Sequence, residues 1–260
     1  MQNKFEKLKN YLTELNEQGL CLAFSGGIDS TLLLYLCRDM NVLAITFKTD
    51  FQTDEEINEA KTLCKKYNVK QLIIQTDILQ NPQINNNPKD RCYHCKKMLF
   101  ETALEKMQQK GIKFLIDGTN FDDLHTYRPG RKALEELNVI SPFAKFEITK
   151  HEIRNYAKEC GIEVFDKPST PCLATRLPYN TKITKENLKI IEKGELILKN
   201  NGFTNCRLRL YNDTARIEIP QQQFNELIEK KDDLISSFKK LGLKYLTLDI
   251  EGLRSGSMDI

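Results

Sequence analysis

Three cysteines of this chain stand in positions that suit metal binding. Cys92 and Cys95 form a Cys-x-x-Cys pair, and Cys172 lies in a proline-containing loop that has no other need for a thiol. Cysteines three positions apart lie on one face of a helix, and a helix start favours the thiolate form that binds metals. Three such thiolates suit an iron-sulfur cluster as well as zinc. We therefore predict a thiolate-held metal centre at these residues.

The sequence leaves two kinds of metal centre open. A structural zinc fills its fourth position with a protein ligand, and His94, between the paired cysteines, would complete a Cys3His set. A 4Fe-4S cluster on three thiolates instead leaves one iron open to an exogenous sulfide. A redox dithiol is disfavoured because the pair lacks a thioredoxin-like context. The other cysteines are expected to be packing residues: Cys21, Cys37, Cys64, Cys160 and Cys206.

A glycine-rich segment, Phe-Ser-Gly-Gly-Ile-Asp-Ser at 24–30, follows the first apolar run and begins a helical pattern. Its glycines let the backbone approach a ligand without interference from a Cβ atom. Backbone amides at the helix start and the two serine hydroxyls would donate hydrogen bonds to phosphate oxygens, and the aspartate would bind Mg²⁺. No Lys-Ser or Lys-Thr pair follows the glycines, so this is not a Walker A loop, and the alternative is a serine-capped tight turn. The residues predicted to bind the phosphates and the metal are Ser25, Gly26, Gly27, Asp29 and Ser30.

A second polar segment, Asp-Gly-Thr-Asn-Phe-Asp-Asp at 117–123, follows the fourth predicted strand. The carboxyl ends of parallel strands share one edge of a sheet, where ligands bind, so Gly118 and Thr119 are assigned to the same nucleotide. Asn120 is also expected to cap a helix whose first turn carries acids. The sequence does not decide which further acid touches Mg²⁺: Asp117, Asp122 or Asp123.

Both polar segments need a parallel sheet to bring them together. Apolar, β-branched runs alternate with segments that carry apolar residues every three or four positions, which indicates strands joined by helices. Strict alternation implies right-handed crossovers and a doubly wound parallel α/β sheet of the Rossmann-like kind. The predicted strands lie at 20–24, 42–47, 69–75 and 114–116, with a further short one at 139–140. The predicted helices lie at 28–37, 54–67, 88–109 and 149–160, the third with Asn87 as N-cap and Pro88 as first residue.

The composition changes after Lys167, where three prolines interrupt the alternating pattern. A domain boundary is predicted here, between residues 1–168 and residues 169–260. Beyond it, a helix at 185–200, strands at 206–211 and 215–219, a helical stretch at 221–241 and a strand at 245–250 indicate a smaller α+β domain.

Composition places the chain among ordinary globular proteins. Its 260 residues carry 39 Lys and Arg against 36 Asp and Glu, so the net charge of +3 indicates no nucleic-acid partner. The N-terminus at 1–10 is polar and lysine-bearing, and the apolar run at 20–24 is too short for a signal peptide or a membrane span. We therefore expect a cytoplasmic protein with no membrane partner and with reduced thiols, which favours metal binding over disulfides.

The segments carry two family resemblances. Residues 24–30 resemble the SGGxDS signature of the PP-loop ATP pyrophosphatases, and residues 117–120 resemble their DGTN stretch. This resemblance implies cleavage of ATP to AMP and pyrophosphate, with a carboxylate or carbonyl oxygen activated as its adenylate. Further segments together resemble the LarE family: Arg91-Cys92-Tyr93-His94-Cys95-Lys96, Tyr127-Arg128-Pro129-Gly130-Arg131-Lys132-Ala133, Ser141-Pro142, Pro171-Cys172-Leu173-Ala174 and Leu248-Asp249-Ile250-Glu251-Gly252-Leu253-Arg254-Ser255-Gly256-Ser257.

The LarE family comprises ATP-dependent sulfur transferases that make the nickel-pincer nucleotide cofactor of lactate racemase. The resemblance runs in order along nearly the whole chain and implies a small-molecule nucleotide substrate, pyridinium-3,5-biscarboxylic acid mononucleotide, whose carboxylates become thiocarboxylates. It also implies a homo-oligomer. Some members have only the cysteine that matches Cys172 and sacrifice its sulfur, whereas others with three cysteines are thought to use a 4Fe-4S cluster that delivers an extra sulfur. The presence of Cys92 and Cys95 as well implies the cluster-dependent form, with all three thiols as metal ligands and catalytic residues.

Such a substrate carries carboxylates and a phosphate, so arginines are expected to bind it. Arg207 and Arg209 alternate along a predicted strand and therefore point to one face. The resemblance assigns these two and Arg254 to the substrate, and Arg176, four residues after the loop cysteine, is a further candidate. A solvated basic strand face is the alternative. Other candidates are Arg128 and Arg131 for the substrate and Glu218 for a metal.

Three other functions stay open at this point. A PP-loop tRNA thiolation enzyme must hold a polyanion and usually carries a basic RNA-binding appendage, whereas residues 221–241 mix acids among their lysines. An amidating PP-loop ligase has no use for three thiols in loops or at helix starts. An ATP-binding protein with a structural zinc site would keep its metal in air, where an iron-sulfur chromophore should bleach.

Overall fold

The computed structural model describes residues 2–126, 128–167 and 171–254. The chain divides into two compact units, the first of Met1–Ile78 with Asp90–Ser169 and the second of Leu79–Lys89 with Thr170–Ile260. A single boundary after residue 168 did not anticipate that Leu79–Lys89 belongs with the C-terminal unit. No helix within the described ranges is long and apolar enough to cross a bilayer.

The regular elements are as follows. The strands are β1 (Leu20–Ala23), β2 (Val42–Lys48), β3 (Lys70–Gln75), β4 (Phe114–Ile116), β5 (Arg207–Tyr211), β6 (Thr214–Glu218) and β7 (Tyr245–Leu248). The helices are α1 (Gln2–Asn16), α2 (Ile28–Leu36), α3 (Asp54–Lys66), α4 (Pro82–Asn85), α5 (Arg91–Gln108), α6 (Gly130–Glu136), α7 (Pro142–Lys145), α8 (Lys150–Glu159), α9 (Lys185–Asn200), α10 (Phe224–Glu229) and α11 (Lys231–Lys240).

In the first unit, four parallel strands form a sheet in the order β3-β2-β1-β4. This confirms the predicted doubly wound α/β fold. Strands β1 and β2 are almost wholly apolar because both faces of a parallel sheet are covered by helices. The short strand predicted at 139–140 is reduced to one parallel bridge between Ile116 and Ile140.

The first sheet sets the position of both polar segments. Strands β1 and β4 are direct neighbours, with Leu22 in register with Ile116. The residues that follow β1 and β4 therefore leave the sheet side by side at its carboxyl edge. The segments at 24–30 and 117–123 begin there, as the alternation of strands and helices predicted.

Helix α1 was not foreseen, since residues 1–10 were interpreted only as a polar terminus. Its apolar residues recur at three- and four-residue spacing, which is the pattern of a helix with one buried face. All four of them are buried: Phe5, Leu8, Leu12 and Leu15. The ring of Phe5 stacks on Tyr156 of α8 with the centroids 3.9 Å apart. This spacing was visible in the sequence, but the lysines on the other face led to the interpretation of the segment as merely polar.

Helix α5 begins later than predicted. Its N-cap is Asp90, and Asn87, the predicted cap, is a buried loop residue with φ of +54°. The Asn87 side chain donates to the backbone oxygen of Pro178 at 2.7 Å, and its own carbonyl accepts from the amide of Asn180 at 2.9 Å. Residues 87–89 are thus held within the second unit, and this long-range pairing overrides the local capping signal of Asn-Pro.

The second unit has a three-stranded sheet in the order β5-β6-β7, antiparallel between β5 and β6 and parallel between β6 and β7. Leu208 and Ile217 on one face pack in its core, and α9 approaches β5 closely at Gly194, where a Cβ atom would lie 2.3 Å from Leu208. The helix predicted at 221–241 is interrupted at Lys230, whose ψ of 8° ends α10 before α11 begins. Its Nζ donates to the backbone oxygen of Asn201 at 2.7 Å, so a tertiary contact accompanies the break.

Candidate functional site

The loop between β1 and α2 turns sharply and leaves backbone amides exposed at a helix start. Gly26 has φ of +78°, which favours glycine, and Gly27 is the N-cap of α2. The Oγ atoms of Ser25 and Ser30 lie 3.2 Å apart, and Ser30 Oγ donates to the backbone oxygen of Gly27 at 3.1 Å. First-turn amides have no acceptor within their own helix. The loop therefore presents donors suited to an anion.

The segment after β4 packs directly on the start of α2. A Cβ atom on Gly118 would lie 3.0 Å from the backbone nitrogen of Ser30 and 3.1 Å from Cβ of Asp29, so any other residue would push the start of α2 away from this close approach. The side-chain amide of Asn120 donates to Asp29 Oδ1 at 3.3 Å. The two predicted nucleotide segments are thus joined at one edge, and Gly118 is required for their contact.

Asp117 holds this edge together from inside. Its carboxylate accepts from Thr119 Oγ1 and from Ser141 Oγ, each at 2.6 Å, and Lys96 Nζ lies 3.4 Å away. The hydroxyl of Thr119, assigned to the nucleotide from the sequence, is therefore used within the turn. Asp117 is buried and has partners for both of its oxygens, the arrangement of a structural anchor.

The two acids at 122 and 123 organise the following turn. Asn120 and Asp123 form reciprocal side-chain to backbone bonds of 3.2 Å. They close a short 3-10 turn at Asp122–His125 whose cap position is Phe121, so the helix that Asn120 was expected to cap is reduced to this turn. Asp122 accepts from the backbone amide of Lys150 at 2.7 Å. Arg128 lies 2.9 Å from Asp123, and the guanidinium of Arg131 donates to a backbone oxygen of the same turn. Both arginines therefore bind groups of their own unit.

Lys150 is a functional candidate that the sequence analysis missed. Its Nζ forms an ion pair with Asp29 Oδ2, and it is the first residue of α8. The sequence analysis interpreted the residues around Lys150 only as part of a helix at 149–160. The pairing arises because α8 begins at the same sheet edge as α2, so only the tertiary fold reveals it.

The paired cysteines occupy the first turns of α5. Cys92 is exposed and Cys95 is partly exposed. The buried guanidinium of Arg91 lies 3.7 Å from Cys92 Sγ, and His94 contacts the N-cap Asp90 at 3.2 Å. Both thiols are thus accessible near one helix start, as predicted. Within residues 2–126, 128–167 and 171–254, no group of three or more His, Cys, Asp or Glu side chains is assembled as a metal site.

Four of the other cysteines have enclosed thiols, whereas Cys160, also expected to pack, is partly exposed. Cys21, Cys37 and Cys64 are buried in the first unit, which confirms the prediction that they pack in the core. Burial raises the pKa of each of these thiols to about 12, and it does the same for Cys206. These four thiols therefore stay protonated at neutral pH and differ from the accessible thiols of α5.

Cys172 belongs to the second unit and begins a tight turn. Its backbone oxygen accepts from the amide of Thr175 at 3.0 Å and from the Thr175 hydroxyl at 2.8 Å. Arg176 closes the turn by donating to the backbone oxygen of Pro171 at 2.9 Å. The guanidinium of Arg176, with a side chain 2% exposed, also binds Glu195 of α9 through two hydrogen bonds. A buried ion pair therefore holds the Cys172 turn in place.

A second buried arginine supports the same turn. Arg209 donates from Nη1 to the backbone oxygen of Thr175 at 2.5 Å and makes two bonds to Glu218. Glu218 also accepts from Arg216 at 3.2 Å. Arg176 and Arg209, predicted as substrate ligands, thus bind groups of their own unit, and Glu218, considered as a metal ligand, is the acceptor of two guanidinium groups.

Three arginines of the second unit have guanidinium nitrogens that donate no hydrogen bond within the described residues. Among the described residues, Arg207 donates only from Nη1, to the backbone oxygen of Arg254 at 2.9 Å. Burial, with repulsion from Arg176 and Arg209, lowers the pKa of the Arg207 guanidinium below its usual value. The Nε atoms of Arg216 and Arg254 are buried and make no hydrogen bond within the described residues, although Asp249 Oδ2 lies 3.5 Å from that of Arg216. An anion bound here would supply a hydrogen-bond acceptor.

The charges of these arginines and of the acids near them do not cancel. Arg254 pairs with Glu251 and lies 3.9 Å from Asp249, and Arg216 lies 3.5 Å from the same Asp249. Within the part of the chain that the structure describes, five guanidinium groups here meet four carboxylates, an excess of one positive charge. The guanidinium groups belong to Arg176, Arg207, Arg209, Arg216 and Arg254, and the carboxylates to Glu195, Glu218, Asp249 and Glu251. Tyr127 and the closing Ser255-Gly256-Ser257 lie outside the described residues.

Comparison with known proteins finds relatives along the whole chain. Residues 1–107 match the family model described as NAD synthase. A pyridinium-3,5-bisthiocarboxylic acid mononucleotide synthase of Lactiplantibacillus plantarum is 33% identical over 93% of this chain and 89% of its own length. Uncharacterized proteins of Synechocystis sp. and Methanocaldococcus jannaschii are 34% and 39% identical, over 100% and 97% of this chain and 98% of each relative. The likeness therefore includes both units.

Breaking the buried ion pair between Arg176 and Glu195 is expected to lower the stability of the protein and to expose the Cys172 turn to protease. The carboxylate of Glu195 accepts three hydrogen bonds. In Glu195→Gln the guanidinium of Arg176 loses its counter-charge, and an amide nitrogen that cannot accept a hydrogen bond replaces one of the two acceptor oxygens. Breaking one side of a buried pair costs about 3–5 kcal/mol. We expect a lower unfolding midpoint and faster trypsin cleavage after Arg176, measured by mass spectrometry of the released peptides under native conditions.

Glu192→Gln is the matched control, because Glu192 lies one turn earlier on the same helix and is partly exposed. It should change neither the unfolding midpoint nor the cleavage rate appreciably. Equal resistance to trypsin in Glu195→Gln and in the control would show that the ion pair does not hold the turn.

Proposed function

Because the chain belongs to the LarE family of ATP-dependent PP-loop enzymes, we propose that it transfers sulfur to the carboxylates of pyridinium-3,5-biscarboxylic acid mononucleotide. The observation that carries this proposal is the 33% identity, over 93% of the chain, to a synthase named for the corresponding bisthiocarboxylic acid. The donor-lined loop before α2 supports nucleotide use, and the excess of guanidinium groups in the second unit supports an anionic substrate. A small nucleotide, and not a nucleic acid, fits the net charge of +3.

The chemistry has to solve a leaving-group problem. A carboxylate oxygen does not leave when sulfide attacks, so it must first be converted into a better leaving group. A carboxylate oxygen attacks the α-phosphorus of ATP, the bond to the β-phosphate oxygen breaks, and pyrophosphate departs. Hydrogen sulfide anion then attacks the acyl carbon, the bond to the AMP oxygen breaks, and AMP and a proton are released with the thiocarboxylate. Each thiocarboxylate therefore consumes one ATP and one sulfide.

We assign the first half-reaction to the loop and helix start of the first unit. Amides of Gly27 and of the first turn of α2, with the Ser25 and Ser30 hydroxyls, bind the phosphates that gain charge as pyrophosphate leaves. The backbone of Gly118 forms the neighbouring wall. Mg²⁺ is held at Asp29, the acid on the helix start itself, whose partners are the side chains of Asn120 and Lys150. The carboxylates at 117 and 123 instead accept from groups of their own turn, and the carboxylate at 122 accepts from the backbone amide of Lys150.

We assign sulfur delivery to Cys92, Cys95 and Cys172. The two accessible thiols on α5, three residues apart, are the observation of this structure that fits a thiolate-held centre. A 4Fe-4S cluster bound by the three thiolates would supply an iron with no protein ligand, at which inorganic sulfide binds. The chain's own contribution is to hold the Cys172 turn through Arg176 and Arg209 and to keep the thiols of α5 open to solvent.

We assign substrate recognition to arginines of the second unit. Arg207 and Arg254 are proposed to bind the phosphate or carboxylates of the substrate, together with Arg216, which the sequence analysis did not single out. The support is the pair of buried Nε atoms that make no hydrogen bond within the described residues and the mutual repulsion that an anion would relieve. For Arg176 and Arg209 we propose a positioning role instead, because their donors already hold the turn of Cys172. The family resemblance also supports assembly into a homo-oligomer.

The two half-reactions should separate by mutation. Cys172→Ala should abolish thiocarboxylate formation while ATP-dependent transfer of AMP to the substrate continues, because the loop before α2 is intact. Asp29→Asn should slow pyrophosphate release about 100-fold or more, because charge at the phosphates is no longer neutralised. The measurements are pyrophosphate release and product mass in single-turnover reactions with MgATP, substrate and sulfide.

Cys160→Ala is the control, since this partly exposed thiol lies on the C-cap of α8 and outside the proposed site. It should retain both half-reactions. Pyrophosphate release at the normal rate in Asp29→Asn would contradict the assignment of the loop, and equal loss of both half-reactions in Cys172→Ala would contradict separate nucleotide and sulfur roles.

Metal analysis distinguishes the cluster from its alternatives. Protein prepared without oxygen should contain about four iron and four acid-labile sulfide per chain, and brown absorption near roughly 400 nm that bleaches in air. Replacing any one of the three thiols by serine should lower the iron content. Stoichiometric zinc that survives air would favour the structural zinc site, and thiocarboxylate formation by metal-free protein with conversion of Cys172 to dehydroalanine would favour the sacrificial mode.

A further inference from the structure

Asp29, the carboxylate to which we assign Mg²⁺, already has a cationic partner in the first unit. Lys150 Nζ pairs with Asp29 Oδ2, and Asn120 donates to the other carboxylate oxygen at 3.3 Å. The two charged side chains are 31% and 23% exposed, so the pair is partly shielded from solvent. The charge of Asp29 is therefore compensated within the chain when no nucleotide is bound.

The backbone of Lys150 is fixed by contacts that do not involve its ammonium group. Its amide donates to Asp122 at 2.7 Å, and the preceding residue, Thr149, forms a capping box with Glu152. Glu152 in turn pairs with Lys4 of α1 at 3.0 Å. The start of α8 is thus anchored three times over, and the ion pair with Asp29 is not needed to hold the helix.

A carboxylate that binds Mg²⁺ directly gives up its ammonium partner. Mg²⁺ requires a nearly ideal octahedral shell and repels a cation on the same oxygen. The flexible stem of a lysine lets its ammonium group move by several ångströms while the backbone stays in place. The negative groups that arrive with the metal at this helix start are the phosphates of ATP.

We infer that Lys150 is a phosphate-binding residue of the nucleotide site, held on Asp29 until MgATP binds and then transferred to the phosphate oxygens. This inference rests on the proposed nucleotide site and adds a residue to it. The exchange keeps each charge compensated in both states: Asp29 passes from lysine to metal, and Lys150 passes from carboxylate to phosphate. It also makes Asp29 and Lys150 interdependent, which a purely structural ion pair would not require.

Binding of α,β-methylene-ATP, which cannot release pyrophosphate, tests the inference without catalysis. Isothermal titration calorimetry would compare the wild type, Lys150→Gln, Asp29→Asn and the double variant, each with and without Mg²⁺. With Mg²⁺, Lys150→Gln should bind about tenfold more weakly or worse, because a charge-assisted hydrogen bond to phosphate is lost. Lys150→Arg should recover part of the affinity.

Without Mg²⁺, replacing Asp29 is expected to strengthen binding of the analogue. Asp29→Asn releases Lys150 from its partner, so this variant should bind the analogue about tenfold more tightly than the wild type. Adding Lys150→Gln should remove that gain. A gain that persists in the double variant would mean that Asp29 merely repels the phosphates, and it would overturn the inference.

Lys4→Gln is the matched control, since it breaks the ion pair to the same helix on its other side. It should bind the analogue as the wild type does, and thermal unfolding would confirm that every variant is folded. Wild-type affinity in Lys150→Gln with Mg²⁺ would overturn the role of Lys150 while leaving the nucleotide site intact. Failure of the wild type itself to bind the analogue with Mg²⁺ would instead overturn the proposed nucleotide site.

Discussion

The close contact between Gly118 and the start of α2 is the constraint on which the arrangement at the carboxyl edge of the first sheet depends. The backbone after β4 reaches within van der Waals distance of Ser30 and Asp29 because residue 118 has no side chain. That approach brings Asn120 onto Asp29 and closes the turn around Asp117. Because residue 118 has no Cβ atom, the segments that follow the neighbouring strands β1 and β4 can pack against each other.

The two units handle their charges in different ways. In the first unit the carboxylates at the sheet edge accept hydrogen bonds from hydroxyls and amides and pair with the ammonium group of Lys150, the arrangement on which the proposed charge exchange with phosphate rests. In the second unit, the buried pair of Arg176 with Glu195 holds the Cys172 turn, while the Nε atoms of Arg216 and Arg254 make no hydrogen bond within the described residues. This difference is the reason for proposing that the first pair positions the cysteine and that the other two arginines bind the substrate.

The sequence was sufficient for the parallel sheet and for the buried cysteines at 21, 37 and 64, because strand alternation and apolar burial are local signals. It failed at Asn87, whose side chain bonds to residues 90 positions later, and at Lys150, whose partner lies 121 positions earlier. The assignment of Arg209 to the substrate came from the family resemblance, which could not show that Glu218, the cross-strand partner of Arg207, already binds that guanidinium. Local patterns identify elements and motifs, but the partners of charged side chains depend on the assembled fold.

The most direct test of the account is the fate of a carboxylate oxygen. Substrate labelled with ¹⁸O in its carboxylates would be incubated with MgATP and sulfide, and the AMP released would be examined by mass spectrometry. Activation through an acyl-adenylate predicts one ¹⁸O atom in the phosphate of AMP for each thiocarboxylate formed. Unlabelled AMP, or labelled inorganic phosphate accompanied by ADP, would contradict it.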